Sequence, residues 1–306
     1  MDLPLLPIRD PKGHKGTFGT VAVFGGCTAH GRLMVGAPAL AALAALRAGA
    51  GLARLYMPRP ALDAGLTVCP SATGRALDTD PSGDLIPHLA AERFDEAAID
   101  SHAIVVGPGL GTGPGARALA LRAAASDACP IVLDADAINA LAEVPDLGRD
   151  LRAAAVLTPH PGEYRRLASA LGISLDPSDP ATRPRAAESL AQRLGCIVVL
   201  KGAATVVTNG QLTWTNSTGG AELATAGTGD TLAGLIAGLA AQFFRPHPAL
   251  PGRPSSLSLF DLARIAVAAH GLAGERWRAR AAASAGLLAA ELADLFPAIL
   301  EGMRAR

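Results

Sequence analysis

Short, uninterrupted apolar runs recur along this chain, and each ends at a glycine, a polar residue or an acid before an alanine-rich stretch begins. That pairing restricts the fold more than any other feature. Residues 20–26 (TVAVFGG), 103–107 (AIVVG), 130–134 (PIVLD), 154–158 (AAVLT) and 197–201 (IVVLK) have the continuous apolar character of strands buried on both faces. Residues 52–57 are a further strand candidate. Helices are expected over 36–48, 113–125, from Ala137 onward, through Tyr164 and Leu167, and over 229–243, 259–277 and 287–300. After Lys201 the short runs 205–208 and 211–215 flank Asn209–Gly210, a hairpin turn signal. Strands alternating with helices place the chain in the α/β class, with a mostly parallel sheet covered on both faces. Pro177, Pro180 and Pro184 mark one loop, and Pro246, Pro248, Pro251 and Pro254 another. The strand–helix pattern resumes after each, so residues 1–306 are expected to form one domain.

Composition narrows the function classes. Lys and Arg number 27 and Asp and Glu 27, so no basic excess is available to neutralise a nucleic acid backbone. The 34 glycines and 23 prolines fall short of the roughly 25–30% of a chain that marks low complexity. Cys27, Cys69, Cys129 and Cys196 are scattered, with neither zinc spacing nor a small-domain disulfide pattern, which fits a reducing cytoplasm. Met1 to Gly19 lacks the apolar core of a signal peptide. The longest apolar stretches, 33–46 and 232–241, fall short of the ~20 residues that span a membrane. A soluble enzyme with small-molecule partners is expected.

The chemistry concentrates in a few segments. In ATAGTGDTLAGLIAG (residues 224–238), Gly227, Thr228, Gly229 and Asp230 precede a long apolar helix. Glycines there let several N–H groups converge, and the helix dipole favours an anion, such as a phosphoryl group, at that point. Asp230 then reads as a base that removes a hydroxyl proton, or as a plain N-cap. KGAAT (Lys201, Gly202, Ala203, Ala204, Thr205) ends a strand and can present a cation and free backbone to a nucleotide. TPHPGE projects His160 and Glu163 three residues apart, as a pair for a metal-bound phosphate or as a loop residue and a first-turn acid. GPGLGTG (residues 107–113) lacks the Walker lysine but permits close ligand approach at a strand's C-terminal end. In LDADAIN, one of Asp134 and Asp136 can hold magnesium through water or cap the next helix. Trp214 and Trp277 read as packing residues.

Taken together, these segments resemble the ribokinase-like superfamily and, more narrowly, the NAD(P)H-hydrate dehydratase family. The resemblance runs from about Gly13 to Leu300. It rests on HKGTFGTVAVFGG, GAPALAALAALRAGAG, VVGPGLG, LDADAIN, LTPHPGE, VVLKGAAT, NSTGGAELATAGTGDTLAG and AAHGLAGE, in that order. It implies a three-layer α/β/α fold and nucleotide-driven dehydration of hydrated NADH or NADPH (S epimer) back to NAD(P)H. A phosphoryl group from ADP, or ATP, would pass to the ring hydroxyl and leave as phosphate, with Mg2+ present. By matching motifs, Asp230 would be the catalytic base. Ala37, Gly107, Gly109, Gly111, His160 and Asp230 would bind the hydrated dinucleotide. Lys201, Gly202, Ala203, Ala204 and Thr205 with Gly227, Thr228 and Gly229 would bind the nucleotide. From the residues themselves rather than the resemblance, Glu163 and Asp134 are the candidates to approach magnesium through water. The family also implies a homotetramer, and the epimerase that supplies the S form would be a separate protein; the cytoplasmic expectation rests on the cysteines alone.

Two departures from the family pattern stand out. Ala226 replaces the first of two adjacent glycines, and Gly220 replaces an asparagine. A methyl at 226 would stiffen the loop if that position needs a positive φ. Two rivals remain on sequence grounds: a kinase of the same fold acting on a vitamin-precursor alcohol, and a catalytically silent nucleotide-binding protein.

Overall fold

In a computed structural model that describes residues 3–29, 31–244 and 257–305, the apolar runs join one nine-stranded sheet. Its strands are β1 (Thr20–Phe24), β2 (Leu52–Pro58), β3 (Thr73–Leu77), β4 (Ala103–Val106), β5 (Ile131–Leu133), β6 (Ala155–Leu157), β7 (Ile197–Leu200), β8 (Val206–Thr208) and β9 (Thr213–Thr215). They lie in the order β3-β2-β1-β4-β5-β6-β7-β8-β9. All pairs from β3 to β7 are parallel, while β8 is antiparallel to both β7 and β9. The expected hairpin forms at Asn209–Gly210, where the Asn209 side chain accepts from the N–H groups of Gln211 and Leu212.

The helices are α1 (Gly36–Arg47), α2 (Arg59–Val68), α3 (Pro87–Asp100), α4 (Pro114–Ala124), α5 (Asp136–Leu141), α6 (Leu147–Asp150), α7 (Pro161–Ala170), α8 (Arg183–Leu194), α9 (Thr228–Phe243), α10 (Leu259–Ala281) and α11 (Ala289–Glu301). Alternation along the strands sends their side chains into two separate cores. Val21, Val23, Val105, Val132 and Val199 join the core under α1, α2, α9, α10 and α11. Ala22, Phe24, Ile104, Leu133 and Leu200 join the core under α3, α4, α5, α7 and α8. The sheet is therefore the middle of three layers, which is why its strands read as unbroken apolar runs.

Four elements depart from the sequence expectation. β3 has only its last residue buried, as an edge strand does, so it lacks an apolar run. α2, α3 and α8 each carry proline in their first turn. Those residues punctuate a sequence, yet a first-turn N–H needs no helical partner, so the helix accepts them. Pro184 accordingly lies inside α8 rather than in the loop after Pro177 and Pro180. The loop of Pro246, Pro248, Pro251 and Pro254 lies outside the described residues. Among the described residues, no helix is long and apolar enough to cross a membrane.

Candidate active site

The strand order reverses at β1: the chain moves outward through β2 and β3 on one side and through β4 to β7 on the other. Such a switch point leaves a crevice at the C-terminal ends of the strands. The turn after β4, Asp134 after β5, TPHPGE after β6 and Lys201 after β7 all follow strands that end at this edge. The fold thus gathers segments that lie up to 100 residues or so apart in the chain.

Gly227, at φ 92°, is the N-cap of α9, and Thr228 begins the helix. Asp230 is thus the third helical residue, and the reading of it as a plain N-cap does not hold. The first helical hydrogen bond runs from Thr231 N–H to Gly227 C=O, so the N–H groups of Thr228, Gly229 and Asp230 have no intrahelical partner. Ala226 is not among the residues with positive φ, so its methyl brings no backbone strain; that requirement falls on Gly227. A Cβ added to Gly227 would lie 2.8 Å from both Leu40 and Ala289, which fixes the start of α9 against α1 and α11.

Charges around this helix start are closely coupled. The Lys201 ammonium donates to Asp134 Oδ1 at 2.6 Å and lies 3.9 Å from Glu163 Oε2. Thr158, fully buried, donates its hydroxyl to the same Asp134 oxygen at 2.6 Å. A Cβ on Gly229 would lie 3.4 Å from Lys201 Nζ, so the ammonium also abuts the first turn of α9. Burial works to lower the Lys201 pKa, but the surrounding Asp134, Glu163 and Asp230 outweigh it and raise it. Asp230 is half-buried, and among the described residues nothing hydrogen-bonds its carboxylate. Burial first, then the charge of Asp134, push its pKa up to about 7 against the opposing pull of Lys201. Burial likewise raises Glu163.

His160 and Glu163 form a reciprocal cap on α7. His160 Nδ1 accepts from Gly162 N–H at 2.9 Å, and Glu163 Oε2 accepts from His160 N–H at 2.8 Å. Burial and the neighbouring Lys201 lower the His160 pKa, keeping a neutral ring whose side chain is 51% exposed toward solvent. The structural reading of this pair is therefore realised, and an accessible ring remains beside it. Neither Asp134 nor Asp136 caps α5, because the N-cap is Ala135, at φ 49°. This left-handed alanine, a conformation costing on the order of 1–3 kcal/mol, sends the two acids to different partners. Asp134 meets Lys201, while Asp136 Oδ2 accepts from Gly111 N–H at 2.8 Å and holds the glycine turn in place.

Within that turn Gly107 and Gly109 are buried and Gly111 is partly exposed. Gly107, at φ 125°, packs so tightly that a Cβ would lie 1.8 Å from the Asp134 carbonyl oxygen. Glycine at this position lets the β4 and β5 loops come together. Gly109 faces Ala37 and Met34, at 3.5 and 3.0 Å from where its Cβ would be, so the turn and the start of α1 form one wall.

A cavity of about 480 Å³ opens beside these groups. Lys201, Gly202, Ala203, Ala204, Thr205, Thr228 and Gly229 all line it, across from Thr218–Ala221 and Val267, His270 and Gly271 of α10. Of the expected nucleotide residues, Gly227 alone is outside the wall. His270 was not singled out by sequence; it is buried, its Nε2 lies 2.9 Å from the Thr228 carbonyl, and burial lowers its pKa to about 4. A neutral imidazole there braces the first turn of α9. Glu275, another such residue, accepts from Gly219 N–H at 2.9 Å and fixes the opposite cavity wall. AAHGLAGE carried both residues, but its sequence alone shows no partner for either. The position of Gly220 points toward the Glu222–Arg278 pair: a Cβ would lie 2.7 Å from Glu222 Oε2 and 3.3 Å from Arg278 Nη1.

Asp134 and Glu163, expected near magnesium, both lie against Lys201. Among the described residues no group of three or more His, Cys, Asp or Glu side chains could hold a metal. The expectation of two carboxylates acting through water is compatible with this arrangement, whereas a cage built from protein alone is not.

Residues 21–298 match the family described as NAD(P)H-hydrate dehydratase. The chain is 37% identical over 294 residues to the ADP-dependent (S)-NAD(P)H-hydrate dehydratase of Neisseria meningitidis serogroup B, covering 93% of this chain and 86% of that protein. It is also 37% identical over 310 residues to the bifunctional NAD(P)H-hydrate repair enzyme of Salinibacter ruber, covering 98% of this chain and 52% of that enzyme. The chain thus spans about half the length of the bifunctional relatives it matches. Among solved structures it resembles the ADP/ATP-dependent NAD(P)H-hydrate dehydratase of Bacillus subtilis, co-crystallised with ATP/Mg2+, with a TM-score of 0.74 and 28% identity over 99% of this chain and 100% of that one. A ribokinase-like superfamily protein of Enterococcus faecalis shares the fold, with a TM-score of 0.74 at 23% identity.

Proposed function

The chain belongs to the NAD(P)H-hydrate dehydratase family, and from that premise we propose that it dehydrates the S epimer of hydrated NADH or NADPH with a phosphoryl group from ADP or ATP. The observation that carries this reading is Asp230: a half-buried carboxylate with a pKa near 7, unbonded among the described residues, at the amide-rich start of α9 beside Lys201. A group poised near neutrality is suited to general-base work. The named activities of the Neisseria and Bacillus relatives support ADP or ATP as the donor.

The nucleotide lies along Lys201–Thr205 in the cavity, with its terminal phosphoryl group at the free amides of Thr228 and Gly229. The hydrated ring enters between Ala37, the Gly107–Gly111 turn and His160. Asp230 takes the proton of the ring hydroxyl as its oxygen bonds to phosphorus, and the bond to the departing AMP (from ADP) or ADP (from ATP) breaks. The amides and the Lys201 ammonium offset charge on the transferring group. The phosphate then leaves with its C–O electron pair, assisted by the lone pair of the ring nitrogen. Loss of a proton from the adjacent ring carbon to solvent restores the double bond, so the hydroxyl oxygen departs in the phosphate and the two hydrogens depart as protons. When Mg2+ is bound with the nucleotide phosphates, it supplies further charge neutralisation, and Asp134 and Glu163 would hold it through water.

Recovery of reduced-nicotinamide absorbance from hydrated NADH, with Mg2+ and either ADP or ATP, tests the reading directly. Asp230→Asn is expected to keep nucleotide affinity while turnover falls about 10²–10⁴-fold, the loss typical of removing a general base. An unchanged rate would reject the assigned role. The same proposal includes a cytoplasmic homotetramer working with a separate epimerase, and four buried free thiols support a reducing compartment.

A further inference from the structure

Arg183, the first residue of α8, is 7% exposed and forms no ion pair among the described residues. Its guanidinium donates instead to three backbone carbonyls, those of Pro177, Leu200 at 2.9 Å and Lys201 at 2.6 Å. Its Nε–H is buried and without a partner. A helix N-terminus is an unfavourable place for a cation, and a buried charge lacking a counter-ion is costly. Arginine nevertheless remains charged under such conditions. The position leaves positive charge inside the protein with no acid to offset it.

That charge lies beneath the nucleotide loop. In a trans peptide the C=O and the following N–H point in opposite directions. Holding the Lys201 carbonyl on the guanidinium therefore turns the Gly202 N–H away from Arg183. Gly202, at φ 146°, would place a Cβ 2.7 Å from Arg183 Nη2, so glycine alone permits both the backbone angle and the close approach. Lys201 at this end of the loop also abuts Gly229, where the phosphates would lie.

We propose that Arg183 is a positioning residue for the nucleotide phosphates: it fixes the Lys201–Gly202 peptide and leaves an unneutralised charge under the loop that a phosphate anion offsets. This rests on the nucleotide reading given above. Calorimetric titration of the full chain with ADP and with adenosine tests it, using Arg183→Gln, which removes the charge, and Arg183→Lys, which keeps it but loses the planar fork. Arg183→Gln is expected to weaken ADP on the order of 10-fold while adenosine changes by less than about 2-fold, and Arg183→Lys to keep most of the preference for ADP. Equal losses for both ligands, or unchanged ADP affinity in Arg183→Gln, would overturn the proposal. If Arg183→Gln does not fold, as judged by thermal melting, Arg183→Lys decides: a retained ADP-over-adenosine ratio supports the proposal and a collapsed one overturns it. Wild-type protein that binds no ADP would overturn the nucleotide reading itself, and with it this inference.

Discussion

In the proposed reaction Asp230 is the base, and its environment makes two measurable commitments. Burial and Asp134 hold its folded pKa at about 7, above the ~3.9 of an unfolded chain. Activity that needs the ionised base should therefore fall as pH drops through about 7, along a limb governed by one proton. Stability runs the other way. Folding takes up a proton at this group between the unfolded and folded values, so the stabilisation is complete below about pH 4 and is lost as pH rises through about 7. Asp230→Asn, which cannot ionise, should melt at a higher temperature than wild type at pH 8, with the difference vanishing at pH 4. Equal melting temperatures at pH 8 would show that the carboxylate is solvated after all. The GTGD segment made Asp230 legible as a candidate base. Its coupling to Asp134 and Lys201 was not legible, because those residues are distant in sequence and meet only at the sheet edge.

Between elements, α1 and α9 pack closely against one another, and glycine makes it possible. A Cβ on Gly234 would lie 2.0 Å from the Ala41 carbonyl oxygen, and one on Gly238 would lie 2.7 Å from that of Ala45. The alanine-rich sequence of α1 is thus a packing surface as well as a good helix former. Gly→Ala in an exposed helix gains up to about 1 kcal/mol from propensity. At Gly234 the helices would have to separate, so a net loss of about 1–3 kcal/mol is expected from overpacking. Urea unfolding should show a lower midpoint at unchanged slope. Turnover should fall too, because α9 carries Asp230 and α1 carries Ala37. A Gly234→Ala protein more stable than wild type would contradict this packing. Sequence reading found α1 and α9 from their apolar content, yet missed α2, α3 and α8, where first-turn prolines resemble loop punctuation.

At the scale of the whole molecule, the sheet edge is an assembly device: the loops after β4, β5, β6 and β7 and a helix start converge because parallel strands all present their C-terminal ends to one side. Membership in the family extends across nearly the entire chain, residues 21–298. The homotetramer included in the proposal predicts a light-scattering mass near four times that of the 30.9 kDa chain. A mass equal to one chain at micromolar concentration would remove that part of it.

The class of the fold was determined by sequence alone, because strands buried on both faces must be apolar throughout and a parallel crossover needs a helix between them. The candidate segments were legible there too, since GTGD, KGAAT and TPHPGE are local arrangements of residues. What each charged group does was decided only in three dimensions. Asp134 and Asp136 are two residues apart, yet one pairs with Lys201 and the other with the Gly111 backbone, through the left-handed turn at Ala135. Arg183 gave no sequence signal, and its position beneath Gly202 exists because α8 packs behind the end of β7. Local composition fixes which groups are available; burial and pairing fix their charge, and both depend on neighbours that only folding brings within reach.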